Sequence, residues 1–229
     1  SYTIAFKGSI EGDGKINWGD GTVTTNETSH TETTSGTYRI KSQIWHNPHN
    51  PTGNSAIDPN FKSSLTKVYR VPKDNTGRYN YSLRCSFQNC SKLTYANLTN
   101  LDVNKYTMCP QIFNNCTALT DIIFPNGFLR GCTSDTEGAS SLFSGCTSLQ
   151  TIDVSNWDTS KVVIMGGLFR NCSSLTTLDL SSLDTSKVTS MDYMFHGCTN
   201  LQTITGLENL DISNVQHFNS MFVNCSSLT

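Results

Sequence analysis

Phe169-Arg-Asn-Cys172-Ser-Ser-Leu175-Thr-Thr-Leu178-Asp-Leu180-Ser-Ser-Leu183-Asp184-Thr-Ser-Lys-Val188-Thr-Ser-Met191-Asp-Tyr-Met194 is the clearest copy of a unit that recurs from residue 87 onward. Its Phe-x-x-Cys start returns at Phe87–Cys90, Phe113–Cys116, Phe143–Cys146, Phe195–Cys198 and Phe222–Cys225, with cysteine spacings of 26, 30, 26, 26 and 27 residues. Each Cys is followed by Ser or Thr, and a leucine stands three residues on, at Leu93, Leu119, Leu149, Leu175, Leu201 and Leu228. Six copies at one period mark a solenoid. A single unit cannot bury its own apolar face, whereas a stack of units makes a continuous core.

Within the unit, Leu178 and Leu180 alternate with polar neighbours, the pattern of a half-buried strand, and Ala96/Leu98, Ile122/Phe124 and Ile152/Val154 hold the same inward sites. Asp158-Thr-Ser-Lys-Val162 and Asp184-Thr-Ser-Lys-Val188 supply turn and helix-start chemistry, with hydroxyls able to cap free N–H groups. Val188, Met191, Met194 and Phe195 then fall at i, i+3, i+6 and i+7, one face of a short helix. The predicted unit is strand, turn, short helix, turn. The residue before each repeat Cys is Asn89, Asn115, Gly145, Asn171, Gly197 or Asn224. Asn and Gly tolerate positive φ best, so a left-handed turn is expected there, with the Cys as a small apolar plug beneath it.

Nine cysteines invite a disulfide or zinc reading. Zinc would need close pairs such as Cys-x-x-Cys, which are absent. The six repeat cysteines occupy one equivalent position per turn, so pairing neighbours would need alternate, asymmetric bridges. They are read as a buried, reduced ladder. Cys85, Cys109 and Cys132 fall outside that register. Cys109 takes the slot of Met165 and Met191, which argues for core. Cys132 lies in the overlong unit 113–142, where Gly127, Gly131 and Gly138 punctuate an insertion, and its pairing with Cys109 or Cys85 stays open.

The pattern Phe-x-Asn/Gly-Cys-Ser/Thr-x-Leu-x-x-Leu-Asp-Leu-Ser-x-x-Asp-Thr-Ser-x-Val-x-x-Met resembles the 26-residue bacterial surface-protein repeat, the BspA-like branch of the leucine-rich repeats. The likeness covers residues 87–229 and is closest over 143–194, with 61–86 as a degenerate first unit in which Leu65-Thr-Lys-Val68 echoes a strand start. The 113–142 unit departs by its insertion, and the 195–221 unit places Gly206 where a strand apolar belongs. The expected fold is an α/β solenoid, a right-handed leucine-rich-repeat stack of one short strand and one short helix per turn. The resemblance implies exported, surface-displayed proteins of host-associated bacteria or protists, working in adhesion and protein binding rather than catalysis.

Residues 1–45 read differently. Tyr2–Phe6, Lys15–Trp18, Val23–Thr25 and Thr37–Ile44 look like short strands, and Trp18-Gly-Asp-Gly followed by Gly36-Thr-Tyr38 resembles the hallmark of PKD-like β modules. The segment is about half the roughly 100 residues of an immunoglobulin-like sandwich, so a small β-sheet capping the solenoid's N-terminal end is expected. Residues 46–60, rich in Pro and Asn, read as a loop.

The chain has 229 residues, 15% of them charged and about a quarter Ser or Thr, with a net charge of −2. That neutral, polar surface carries no footprint for nucleic acid or anionic lipid, and no apolar run reaches the roughly 20 residues of a membrane span. Ser1–Phe6 lacks the basic start and apolar run of a signal peptide, and no initiating Met is present. The last unit stops eight residues in. The expectation is a processed or trimmed part of a longer extracellular protein.

Sites of chemistry are few. His46-Asn-Pro-His49 has a proline between its histidines and reads as a solvated loop. Glu11, Asp13 and Asp20 lack calcium-loop spacing and read as tight-turn residues. His196 and His217 stand isolated, and no cofactor or metal is expected. The sequons at Asn89, Asn115, Asn171 and Asn224 come with the Asn-Cys-Ser/Thr turn and say nothing of glycosylation. A binding surface is the better prospect. Outward strand positions form two rows, Tyr95, Asp121, Thr151, Thr177, Thr203 and Asn97, Ile123, Asp153, Asp179, Thr205. The leading expectation is a monomeric, non-catalytic adhesion module that recognises a protein or glycan through Tyr95, Asn97, Asp121, Asp153, Thr177, Asp179 and Thr203. A spacer displaying another domain is the alternative, and a glycan-active enzyme using Asp153 and Asp179, one rung apart, is a third reading.

Overall fold

The computed structural model describes residues 83, 86–99, 101–104 and 106–229 in full, and before them the backbone of six short strands. Four of these form two antiparallel pairs: β1 (Tyr2–Ala5) with β4 (Ser29–Glu32), and β2 (Lys15–Asn17) with β3 (Val23–Thr25). β4 was not expected. The expected strand at Thr37–Ile44, the Trp18-Gly-Asp-Gly turn, the 46–60 loop, the capping contact, and His46, His49, Glu11, Asp13, Asp20 and Cys85 lie outside the described residues.

The repeat region coils so that equivalent strands pair in parallel. β5 (Lys67–Val68), β7 (Tyr95–Asn97) and β9 (Asp121–Ile123) make one sheet, and β6 (Tyr81–Ser82) pairs with β8 (Tyr106–Met108). β10 (Thr177–Asp179) and β11 (Thr203–Thr205) make another pair. Between β9 and β10 the coil at 151–153 keeps the outward exposure of Thr151 and Asp153 but forms no ladder; it follows the 30-residue spacing of the overlong unit.

The expected short helix does not form. Among the described residues the single helical element is a 3₁₀ turn, Leu207–Asn209. Val188, Met191, Met194 and Phe195 are buried as their spacing predicts, with at most 1% of their surface exposed. The backbone, however, bonds between coils. Met191, Tyr193, Phe195 and Gly197 donate their N–H groups to His217, Asn219, Met221 and Val223 carbonyls of the next coil, at 2.7–3.0 Å. Met165, Gly167, Phe169 and Asn171 do the same to Ser190, Asp192, Met194 and His196. An α-helix needs those donors for i−4 carbonyls, and a left-handed residue every fourth position excludes it outright.

The hydroxyls of the Asp-Thr-Ser turns also act otherwise than expected. Asp184 Oδ1 accepts from the Ser186 N–H and hydroxyl at 3.0 and 2.6 Å, an Asx turn, while the buried Thr185 hydroxyl donates to the Asp211 carbonyl of the next coil. At Gly206, φ is 78°, and an added Cβ would lie 2.6 Å from the Ser181 nitrogen, so glycine there replaces a strand apolar with a tight turn.

The core is a set of columns. Phe87, Phe113, Phe143, Phe169, Phe195 and Phe222 stack ring on ring, centroids 5.2–6.0 Å apart. Beside the insertion, Trp157 packs against Phe124, Phe128, Phe143 and Phe169. Under the stack run the thiols: Cys116, Cys146, Cys172, Cys198 and Cys225 each donate from Sγ to the Phe carbonyl of the coil before, at 3.0–3.2 Å. The six ladder cysteines are free. Cys109 and Cys132 form a disulfide, Cα atoms 6.1 Å apart, which resolves the pairing left open for Cys132, and Cys109 is buried in the core as its slot predicts.

Candidate functional site: the outward sheet face

The parallel register places the outward residues of neighbouring coils side by side. Tyr95 lies opposite Asp121 and Asn97 opposite Ile123; Thr177 lies opposite Thr203 and Asp179 opposite Thr205. Thr151 and Asp153 share the exposure without a paired register. The seven candidate residues therefore fall into two ladder blocks joined by an irregular coil. Asp121, Asp153, Thr177, Asp179 and Thr203 are exposed, while Tyr95 and Asn97 are half-buried. Ile123 adds an exposed apolar patch at 44% of its surface.

The polar groups on this face are largely occupied by their own turns. Asp153 Oδ1 accepts from the Ser155 N–H and Asp179 Oδ1 from the Ser181 N–H, each at 2.9 Å. The Ser155 and Ser181 hydrogen bonds hold both carboxyls below the usual carboxylate range. Both are thus poised as anions and acceptors. Asn97 Oδ1 likewise accepts from the Thr99 N–H and hydroxyl, and Asp121 from the Thr120 hydroxyl at 2.6 Å. A glycosidase pair needs one carboxyl held protonated, with its pKa raised, and the Ser bonds on Asp153 and Asp179 work in the opposite direction. Among the described residues no group of three or more His, Cys, Asp and Glu gathers as a metal site would need. No helix among them is long and apolar enough to cross a membrane.

Sequence reasoning passed over a second outward cluster, Arg170, Tyr193 and His196, on the turn segment. The Arg170 guanidinium lies 5.1 Å from the Tyr193 ring centroid, and the His196 ring meets Tyr193 edge-on at 5.7 Å. Its signal was a break in the repeat, since the equivalent positions in the 143–168 unit hold Ser144 and Gly167.

Comparison with known proteins divides the repeat region. Residues 137–229 match the family described as "Mycoplasma protein of unknown function, DUF285". No curated protein matches the chain significantly. Among solved structures, a leucine rich cell surface protein of Faecalibacterium prausnitzii aligns at 22% identity and TM-score 0.44, covering 83% of this chain and 39% of that one. The T. pallidum leucine rich repeat protein aligns at 22% identity and TM-score 0.43 over 71% of this chain and 78% of its own. A leucine-rich repeat protein of Bacteroides ovatus aligns at 15% identity and TM-score 0.29, over 94% and 68% of the two chains. The chain thus spans well under half the length of the Faecalibacterium protein it matches. Residues 78–134 match the family described as "BspA type Leucine rich repeat region (6 copies)".

Proposed function

We propose that this chain is a non-catalytic, extracellular binding or adhesion module that engages a protein or glycan partner as a monomer through its outward sheet face. The observation that carries this reading is the in-register exposure of Thr177 beside Thr203 and Asp179 beside Thr205. Repeated hydroxyls and anions about 4.8 Å apart offer a flat, polar lattice of the kind solenoids use for extended partners. Tyr95, Asn97, Asp121 and Asp153 extend it along the stack. The depressed carboxylates at Asp153 and Asp179 support binding over hydrolysis. The BspA type repeats support a surface location, and the coiling sense is right-handed, the hand that parallel crossovers nearly always take. The test is a binding screen against host matrix proteins and glycans, followed by Thr177→Lys and Thr203→Lys. The expected result is a partner whose affinity falls at least tenfold in both variants. Silence across the screen, or glycan hydrolysis abolished by Asp179→Asn, would overturn the proposal.

A further inference from the structure

The sheet face is not where the solenoid departs furthest from its own repeat. A second left-handed column lies two residues before the stacked Phe, at Gln111, Ser141, Gly167, Tyr193 and Ser220. Tyr193 is its single aromatic, at φ 58° with 39% of its surface exposed. A bulky L-residue in this region is strained, and the coil before meets the same backbone demand with Gly167. The column just after the Phe reads Gln88, Asn114, Ser144, Arg170, His196 and Val223. In the first coils these two columns are neutral amides bonded to one another, Gln88 Nε2 donating to Gln111 Oε1 at 3.1 Å and Asn114 Oδ1 at 3.3 Å.

In the 169–196 stretch the same positions change chemistry. Arg170 covers the Tyr193 ring, and the His196 ring stands at its edge. No carboxylate pairs with Arg170: among the described residues the one ion pair joins Arg130 to Asp158. The adjacent Asp192 is engaged instead by the Asn219 N–H and side-chain amide, at 2.6 and 2.9 Å. His196 Nδ1 is buried and has no hydrogen-bond partner. A buried polar atom without a partner is costly, as is a bulky residue at positive φ. Both occur within one exposed cluster, and neither is needed for the repeat, since other coils omit them.

We infer that Arg170, Tyr193 and His196 form a binding site for a carboxylate-bearing sugar, separate from the sheet face. The guanidinium keeps its fork of N–H donors for a bidentate carboxylate. The partly exposed tyrosine supplies an amphipathic surface for a pyranose ring. The His196 ring backs the tyrosine edge-on with its Nδ1 buried, so it senses a ligand at Tyr193 without touching it.

The probes are trigalacturonate and 3′-sialyllactose, each beside its methyl ester, titrated into the full chain with readout by calorimetry and by NMR of the His196 imidazole. At least one acid is expected to bind and to perturb His196, with its ester at least tenfold weaker, and Arg170→Gln should remove most of that difference. Tyr193→Gly fits φ 58° without strain, so it should hold the parent melting temperature while affinity falls at least tenfold. Failure of both acids to bind, equal binding of acid and ester, parent-like affinity in Arg170→Gln or Tyr193→Gly, or equal competition by inorganic sulfate would overturn the inference. Arg170→Gln changes an exposed side chain and keeps the test open should Tyr193→Gly not fold.

Discussion

Gly197 has φ 75°, and a Cβ built there would run into the Oδ1 of Asn171 in the coil before. The Asn/Gly column therefore has two constraints, a left-handed backbone and the reach of its own neighbour. Asn115 Nδ2 donates to Asn89 Oδ1 at 3.1 Å where two asparagines meet, and glycine appears where an asparagine points into the next coil. Gly197→Ala should destabilise by about 1–3 kcal/mol, and Asn171→Ser combined with it should recover part of that loss; denaturant titration of the double-mutant cycle reads the coupling. The thiol column makes a pH prediction. Burial pushes the Cys146 and Cys198 thiols up to about 12 from an ordinary value of 9.0, and Cys116, Cys172 and Cys225 also rise. The unfolded chain loses these protons first, so for Cys146 and Cys198 the stability is complete below pH 9 and falls between pH 9 and 12, by up to about 1.4 kcal/mol per pH unit for each of these two thiols. Alkaline melting curves, with iodoacetamide labelling that reaches the buried thiols from Cys90 to Cys198 only on unfolding, check this. The column was legible because Asn and Gly share one backbone property. The second left-handed column was not, because Gln111, Ser141, Gly167, Tyr193 and Ser220 share none.

At the level of the element, the inward stripe was legible and the conformation was not. Val188, Met191, Met194 and Phe195 would be buried on a helix, and they are equally buried on a chain of turns whose alternate N–H groups reach the next coil. What separates the two is where the backbone donors go, and that depends on residues 25 or 26 positions away rather than on the local window. The insertion poses the same difficulty. Sequence left Cys132 with two possible partners; the turn at Gly131, whose Cβ position is filled by the Val103 and Tyr106 carbonyls, seats Cys132 beside Cys109. The bridge closes a separation of 23 residues. On the chain-entropy account, Cys109→Ala with Cys132→Ala should lower stability by about 3 kcal/mol. Because the tie is local to the overlong unit, hydrogen exchange should quicken around residues 103–132 first and leave the β10–β11 pair nearly unchanged. Uniform quickening along the whole chain would show that the bridge holds more than its own unit.

Across the whole molecule, the phenylalanine stack makes stability a property of neighbours. The repeat period was read correctly because each coil must offer the same face to the next, and that need writes one residue type at one spacing six times. Position along the stack is what the period does not encode. Phe169 is fully buried between Phe143 and Phe195, at 5.9 and 6.0 Å, and also meets Trp157. Phe222 has the same place in its unit, but 37% of it is exposed and it stacks on Phe195 alone. Around it Phe218 and Val223 stand 52% and 46% exposed. Phe169→Ala should therefore destabilise by about 3–5 kcal/mol, the range for deleting a buried aromatic. Phe222→Ala should fall well below that range, because fewer contacts are lost and the site opens to water rather than to a cavity. The two substitutions should also differ in kind. A break at Phe169 interrupts the stack between two sets of coils, so the unfolding transition should broaden as cooperativity falls, whereas a loss at Phe222 removes one stacking contact and leaves a single transition. Equal losses from the two variants in urea would mean that the stack behaves as one indivisible core, and the nearest-neighbour account would be wrong.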